Sequence, residues 1–304
     1  MQEKLWSMEN KFAGTGVALA TPFDKNQRID FYSLRKLLVH TAKGGTGYWI
    51  VCGTTGESAT LTISEKNDLL QFICENNEQQ LPVVFGIGGN DTNQLINTIR
   101  NTSLDGIAAI LSVSPYYNKP TQEGIIDHFR IIADASPVPV ILYNVPGRTS
   151  SNLTWETTCV LAQHPNIIGI KEASGNLVQC MRIRLETPDD FLLISGDDLL
   201  TLPLLSIGAA GVISVLANAF PGHFKLLMDQ YFAKNHLEAK KSVFDLVAIN
   251  RLMYEEGNPV GIKEVLKQIH ICENYVRPPL LPASEKLSAE IALALEEMKF
   301  KPGM

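Results

Sequence analysis

The chain is short of the features that would commit it to several broad classes. Its five cysteines (Cys52, Cys74, Cys159, Cys180 and Cys272) are odd in number and widely spaced, with no C-x-x-C or Cys/His cluster. That pattern excludes a disulfide framework and a zinc site, and fits reduced thiols in a cytoplasmic protein. Lys and Arg number 26 against 32 Asp and Glu, a net charge of −6, and the one basic cluster is "AKK" at 239–241. No nucleic-acid surface is expected from that balance. No apolar run approaches the ~20 residues needed to span a bilayer, and "MQEKLWSMENKF" has no hydrophobic signal region. A cytoplasmic location is the expectation, with no membrane partner. Met8 is an alternative start that would make residues 1–7 a dispensable extension. A G-x-G-x-x-G fingerprint is missing after the first apolar run, and "GIGGN" (86–90) lacks the Lys-Ser/Thr of a P-loop.

What the sequence has is alternation. Eight runs rich in Val and Ile lie at 16–22, 47–53, 82–89, 106–115, 139–147, 167–173, 191–198 and 211–218. Between the earlier ones, "FYSLRKLLVHTAK", "SEKNDLLQFICENN", "TNQLINTIRNTS", "GIIDHFRIIADAS" and "TWETTCVLAQH" carry apolar residues at three- and four-residue spacing, as amphipathic helices do. Thr62 and Glu65 make a capping box ahead of the second. The alternation predicts an α/β fold, a (β/α)8 TIM barrel, over a doubly wound sheet. After about residue 220 the strand signal stops. Residues 223–254, 261–270 and 284–299 read as three helices, and "ENYVRPPLLPAS" as a Pro-rich connection that cannot be helical throughout. The expected organisation is an N-terminal extension (1–13), a catalytic barrel (14–220) and a C-terminal helical appendix (221–304).

In such barrels chemistry gathers at the C-terminal ends of the strands. There the sequence places Lys171, directly after the apolar "NIIGI". Burial disfavours the charged form of an amine and leaves the neutral nucleophile that attacks carbonyls. The competing reading is a strand-end lysine that snorkels to solvent or pairs with Glu172. Tyr143, one strand earlier in "VILYNVPGR", suits proton transfer to a carbinolamine, against a buried tyrosine with a satisfied hydroxyl. Arg148 suits bidentate capture of a carboxylate, against an ordinary surface arginine. "GTTGES" (53–58) packs glycines around the hydroxyls of Thr54 and Thr55, where close backbone approach helps to hold a small anion. Tyr116 and Tyr117 in "SPYYNKP" are equally compatible with loop packing.

"GTTGES", "SPYYNKPTQEG", "YNVPGRT", "GIKEASGN", "SGDD" and "GVISVLAN", in order from Gly14 to Asn218, resemble the dihydrodipicolinate synthase family of the pyruvate-dependent class I aldolases. The resemblance implies a 4-hydroxy-tetrahydrodipicolinate synthase activity, in which Lys171 forms a Schiff base with pyruvate. It implies a proton relay of Tyr143, Thr54 and Tyr117, the last reaching in from a neighbouring subunit. Thr55, Gly196 and the backbone near Ile213 would bind substrate, the first and last holding the pyruvate carboxylate. Arg148 would receive the carboxylate of L-aspartate 4-semialdehyde. Homotetramers built from tight dimers, with no metal or organic cofactor, are the family's usual form. Members inhibited by lysine commonly carry histidines and a glutamate where this chain has Ile63, Lys66 and Gln94, so weak or absent lysine feedback is expected. Sister enzymes, N-acetylneuraminate lyase or keto-deoxy sugar-acid aldolases, would share Lys171 and Tyr143. Thr54, where sisters often resemble "GSTGE", and Arg148 favour the semialdehyde-using branch. A non-catalytic paralogue would be expected to lose Lys171, Tyr143 or Thr54, and all three are present.

Overall fold

The structure, a computed structural model, describes residues 10–298; the expected dispensable residues 1–7 and the alternative start at Met8 lie outside them. Each of the eight apolar runs holds a strand or, in the case of the first, overlaps one that starts two residues earlier: β1 (Gly14–Ala18), β2 (Tyr48–Val51), β3 (Val83–Gly86), β4 (Ala109–Val113), β5 (Val140–Asn144), β6 (Ile167–Glu172), β7 (Leu192–Ser195) and β8 (Gly211–Ser214). They form a closed barrel in sequence order, and the pairings run parallel. Strands β2, β5, β7 and β8 are buried at every position, on the inward and the outward face alike. Burial on both faces is why these segments read as continuous apolar runs rather than alternating ones.

Local chemistry sets the helix starts. Thr62 and Glu65 form the expected capping box at the helix Ile63–Glu75. Asp30, Asp91, Thr121, Thr154 and Asn176 each accept a hydrogen bond from the backbone N–H three residues on, in the first turn of the next helix. Each such cap satisfies one of the N–H groups a helix start leaves without a partner.

The described residues divide into two compact units, one of 10–13 and 82–213, the other of 14–81 and 214–298. The first carries the continuous ladder from β3 through β8. One irregularity in that ladder re-aims the end of β6. Val140 pairs with Ile167 but Ile141 pairs with Gly169, so Ile168 is an extra residue and the register shifts by one. A one-residue slip reverses which face each later side chain occupies. After the shift, Tyr143 stands opposite Lys171 and Asn144 opposite Glu172. Gly169 is confined by the neighbouring strand, since a Cβ there would lie 2.6 Å from Leu192 O.

The second unit holds β1, β2 and the C-terminal helices. Here the expected three helices need correction. Residues 223–254 form not one helix but parts of three, Pro221–Phe232, His236–Phe244 and Val247–Leu252. The first ends because Lys234 adopts a left-handed conformation (φ 64°), with Lys234 N donating to Tyr231 O and Asn235 N to Gln230 O. Glycine usually fills that position, so no residue type advertised the stop. Helices Val260–Gln268 and Glu285–Glu297 come next, and residues 273–284 between them are non-helical as expected. In the first unit, the helix Leu177–Glu186 escaped the periodicity reading. Its Val178, Met181 and Leu185 are exposed, while Gln179 and Arg184 are buried beside Cys180 and Ile183, a mixed pattern that blurs the apolar face.

Candidate active site

Lys171, next to last in β6, points to the side of the strand that carries Tyr143 on β5. Its Nζ lies 4.4 Å from the centre of the Tyr143 ring. The two residues are 6% and 8% exposed. Neither the Lys171 ammonium nor the Tyr143 hydroxyl hydrogen-bonds another described residue. Lys171 therefore neither snorkels to solvent nor pairs with Glu172. The carboxylate of Glu172, 3% exposed, is turned the other way. It accepts from Asn144 Nδ2 (3.0 Å), Gln179 Nε2 (2.8 Å) and Ser174 N (2.7 Å).

Gly196 directly succeeds β7, and its N–H donates to Glu172 O at 2.8 Å. A Cβ there would lie 3.1 Å from Lys171 Cε and 2.6 Å from Ala173 Cβ, so glycine keeps room for the lysine arm. Ile213, fully buried, lies within the end of β8. Arg148 is exposed on the short helical turn Pro146–Thr149 directly after β5. Tyr117 stands apart from this group. It is 87% exposed and its backbone is left-handed (φ 73°), an uncommon conformation for a bulky residue. The loop is held by Asn90 Nδ2 donating to Tyr116 O and Asn118 Nδ2 to Asn90 O, each at 3.0 Å.

Thr54 and Thr55 lie just after β2 in the second unit. Thr54 is half-buried, whereas Thr55 is 1% exposed. The loop folds on itself through Gly56 N to Gly53 O and Glu57 N to Thr54 O, and Thr21 Oγ1 donates to Gly56 O. Beneath it lies an ion pair that the sequence reading missed. Glu57, left-handed at φ 54°, meets the ammonium of Lys263, and both side chains are almost wholly buried. Lys263 also donates to Tyr275 O (2.7 Å), and Glu57 accepts from Arg277 N (2.9 Å). Burial pushes the Lys263 ammonium down from the usual lysine range, and the Glu57 carboxylate opposes it. A second missed residue is Asn258, whose Nδ2 donates to Thr55 Oγ1 at 3.1 Å. A signal for Lys263 was available: "PVGIKEVL" (259–266) sets a lysine among apolar residues, as "NIIGIKEA" does.

Arg277 also clamps Glu65, whose carboxyl is held down at about 2 by that hydrogen bond first of all. Burial pushes the thiols of Cys52, Cys180 and Cys272 up to about 12, which keeps them protonated and poor nucleophiles at neutral pH. Among the described residues no group of three or more His, Cys, Asp or Glu is placed to hold a metal, and no helix is long and apolar enough to cross a membrane.

A family model described as the dihydrodipicolinate synthetase family matches residues 11–298. The 4-hydroxy-tetrahydrodipicolinate synthase of Cytophaga hutchinsonii is 46% identical over 283 residues, 93% of this chain and 95% of its own. The dihydrodipicolinate synthase of Cyanidioschyzon merolae, solved with lysine bound, superposes with a TM-score of 0.91 at 37% identity, covering 95% of this chain and 99% of that one. The chloride-inhibited dihydrodipicolinate synthase of Acinetobacter baumannii, solved in complex with pyruvate, gives a TM-score of 0.91 at 34% identity over 95% and 99%. With a family model spanning the described chain and a relative this similar over nearly its full length, the chain belongs to the dihydrodipicolinate synthetase family.

Proposed function

We propose that the chain condenses pyruvate with L-aspartate 4-semialdehyde to give 4-hydroxy-tetrahydrodipicolinate. The observation that carries this reading is the buried Lys171 amine, without a hydrogen-bond or ion-pair partner and 4.4 Å from the ring of Tyr143. Lys171 Nζ adds to the pyruvate carbonyl and water leaves, giving an iminium. Loss of a methyl proton turns it into an enamine, whose carbon bonds to the aldehyde carbon of the second substrate. The amino group of that substrate then displaces Lys171 and closes the ring. Tyr143, with Thr54 and a Tyr117 supplied by a second copy of the chain, carries the protons. Thr55, held by Asn258, binds the pyruvate carboxylate together with the backbone near Ile213, and Gly196 leaves space for the adduct. Arg148 takes the carboxylate of the semialdehyde as a bidentate donor.

The iminium is itself the electron sink, so the reading calls for no metal or organic cofactor. A homotetramer of tight dimers in the cytoplasm is part of the proposal, with the barrel at 14–220 and the helical appendix at 221–304. The exposed Tyr117 and the exposed Val178, Met181 and Leu185 support an assembly, because a large apolar side chain left in water is commonly covered by a partner. Sedimentation of the purified chain reads the assembly directly.

Borohydride reduction with pyruvate, and then peptide mapping, tests the chemistry. The adduct is expected on Lys171, and its absence there would end the Schiff-base reading. Turnover of aspartate semialdehyde but not of N-acetylneuraminate is expected, and the reverse would move the chain to the sister lyases. Arg148→Ala should raise the KM for the semialdehyde about tenfold or more while pyruvate trapping persists.

A further inference from the structure

Glu172 has no role in that mechanism, yet it is a carboxylate 3% exposed that makes no ion pair among the described residues. Burying an uncompensated charge costs free energy that an amide or apolar side chain would avoid. Its oxygens are instead saturated by neutral donors: Asn144 Nδ2 reaches both (3.2 and 3.0 Å), Gln179 Nε2 one (2.8 Å) and Ser174 N the other (2.7 Å). The Glu172 charge is also felt by Cys180, whose thiol it pushes up in addition to burial.

The partners matter more than the number of bonds. Asn144 comes directly after Tyr143, and Glu172 directly after Lys171. Across the β5–β6 ladder Asn144 pairs with Glu172 as Tyr143 pairs with Lys171. The same two dipeptides therefore present a reactive pair on one face and a carboxamide–carboxylate lock on the other. That alignment exists only because of the extra residue Ile168; the register at Val140–Ile167, continued without it, would set Lys171 opposite Asn144. Register irregularities next to a site re-aim side chains, and a shifted register needs something to hold it. Asn144 is itself held, accepting from Leu153 N (3.0 Å), and Gln179 accepts from Asn152 (2.9 Å).

We propose that Glu172 is a positioning residue: its carboxylate, locked on Asn144, Gln179 and the Ser174 N–H, holds the shifted β5–β6 register that sets Lys171 against Tyr143. The inference rests on the Schiff-base reading above. A carboxylate is required because four donor contacts converge on it and it alone accepts at both oxygens. Glu172→Gln keeps the shape but turns an NH2 group toward donors, so the lock opens where the charge-assisted bonds were.

The test is kinetic. Glu172→Gln should lower kcat by about ten- to a hundredfold, the scale on which misplacing a catalytic group acts, with KM for pyruvate changed far less. In a Tyr143→Phe background the same substitution should cost little, since the proton carrier it positions is already gone. Retention of kcat within twofold, or a full multiplicative loss in the Tyr143→Phe background, would overturn the proposal. Gln179→Ala removes one donor and leaves the carboxylate in place; it should show a smaller drop in kcat in the same direction. Should Glu172→Gln fail to fold, an unchanged kcat in Gln179→Ala would overturn the proposal instead. Borohydride trapping on Lys171 in the unmodified protein is the control: its absence sinks the Schiff-base reading, and its presence with an unaffected Glu172→Gln enzyme sinks only this one.

Discussion

Among the described residues two lysines are buried, and their surroundings are nearly opposite. Lys171 and Lys263 both lie over an aromatic ring, at 4.4 Å from Tyr143 and 4.1 Å from Phe23. Lys263 is also bound by Glu57 and by Tyr275 O, so its ammonium protons are engaged. Lys171 has the ring and no carboxylate. An amine whose protons are all held is part of the scaffold; one that is buried without such partners is free to react. The same residue type serves as keystone in one place and, in the proposed mechanism, as nucleophile in the other, and the difference lies in what faces it.

Substitution breaks the comparison most sharply at Lys171. Lys171→Ala should remove the borohydride adduct and lower kcat on the order of a thousandfold or more, with the melting temperature little changed. Lys263→Met should do the converse. It leaves Glu57 buried and unpaired, at a cost of about 3–5 kcal/mol in denaturant unfolding, while any folded fraction still traps pyruvate. Adding Glu57→Gln to it should recover part of that loss; if the double variant were no more stable than Lys263→Met, the ion pair would not be what holds the loop.

A milder perturbation reaches the edge of the same cluster. The Glu65 carboxyl is held at about 2 by Arg277, below its ordinary 4.5. A depressed carboxyl pKa stabilises the folded state fully above pH 4.5, and that contribution fades as pH falls toward 2. Melting curves of the native chain and of Glu65→Gln should therefore differ at pH 7 and converge near pH 2. The smallest effect is expected from free lysine. Ile63 and Gln94 are exposed and Lys66 is a cation, a poor set for an ammonium-bearing effector. Half-inhibition is expected above the millimolar range in a steady-state assay, and sub-millimolar inhibition would contradict it.

The fold was largely legible because both signals behind it are local. Apolar runs and three- to four-residue spacing report burial face by face, and the capping box of Thr62 and Glu65 is read from two nearby residues. The misses share a cause as well. Lys234 ends a helix in a left-handed conformation without being glycine, and the helix Leu177–Glu186 exposes Val178, Met181 and Leu185 while burying Gln179 and Arg184. In neither case does the residue type at the position announce the outcome. Lys171 stood out as a residue in an unexpected place and Tyr143 as its neighbour one strand earlier, whereas Gly196 came only with the family resemblance; the structure brings these three together. Asn258 and Lys263 did not stand out as site residues, because their partners Thr55 and Glu57 are some two hundred positions away in the chain.

What the sequence determined by itself was the set of strands, their parallel barrel and the oddity of a lysine at the end of "NIIGI", since each is a matter of composition and period over a few residues. Only the tertiary structure decided which side chain that lysine faces. One extra residue in β6 reverses the phase of everything after it, and a period of two carries no record of where a strand's partner begins to count.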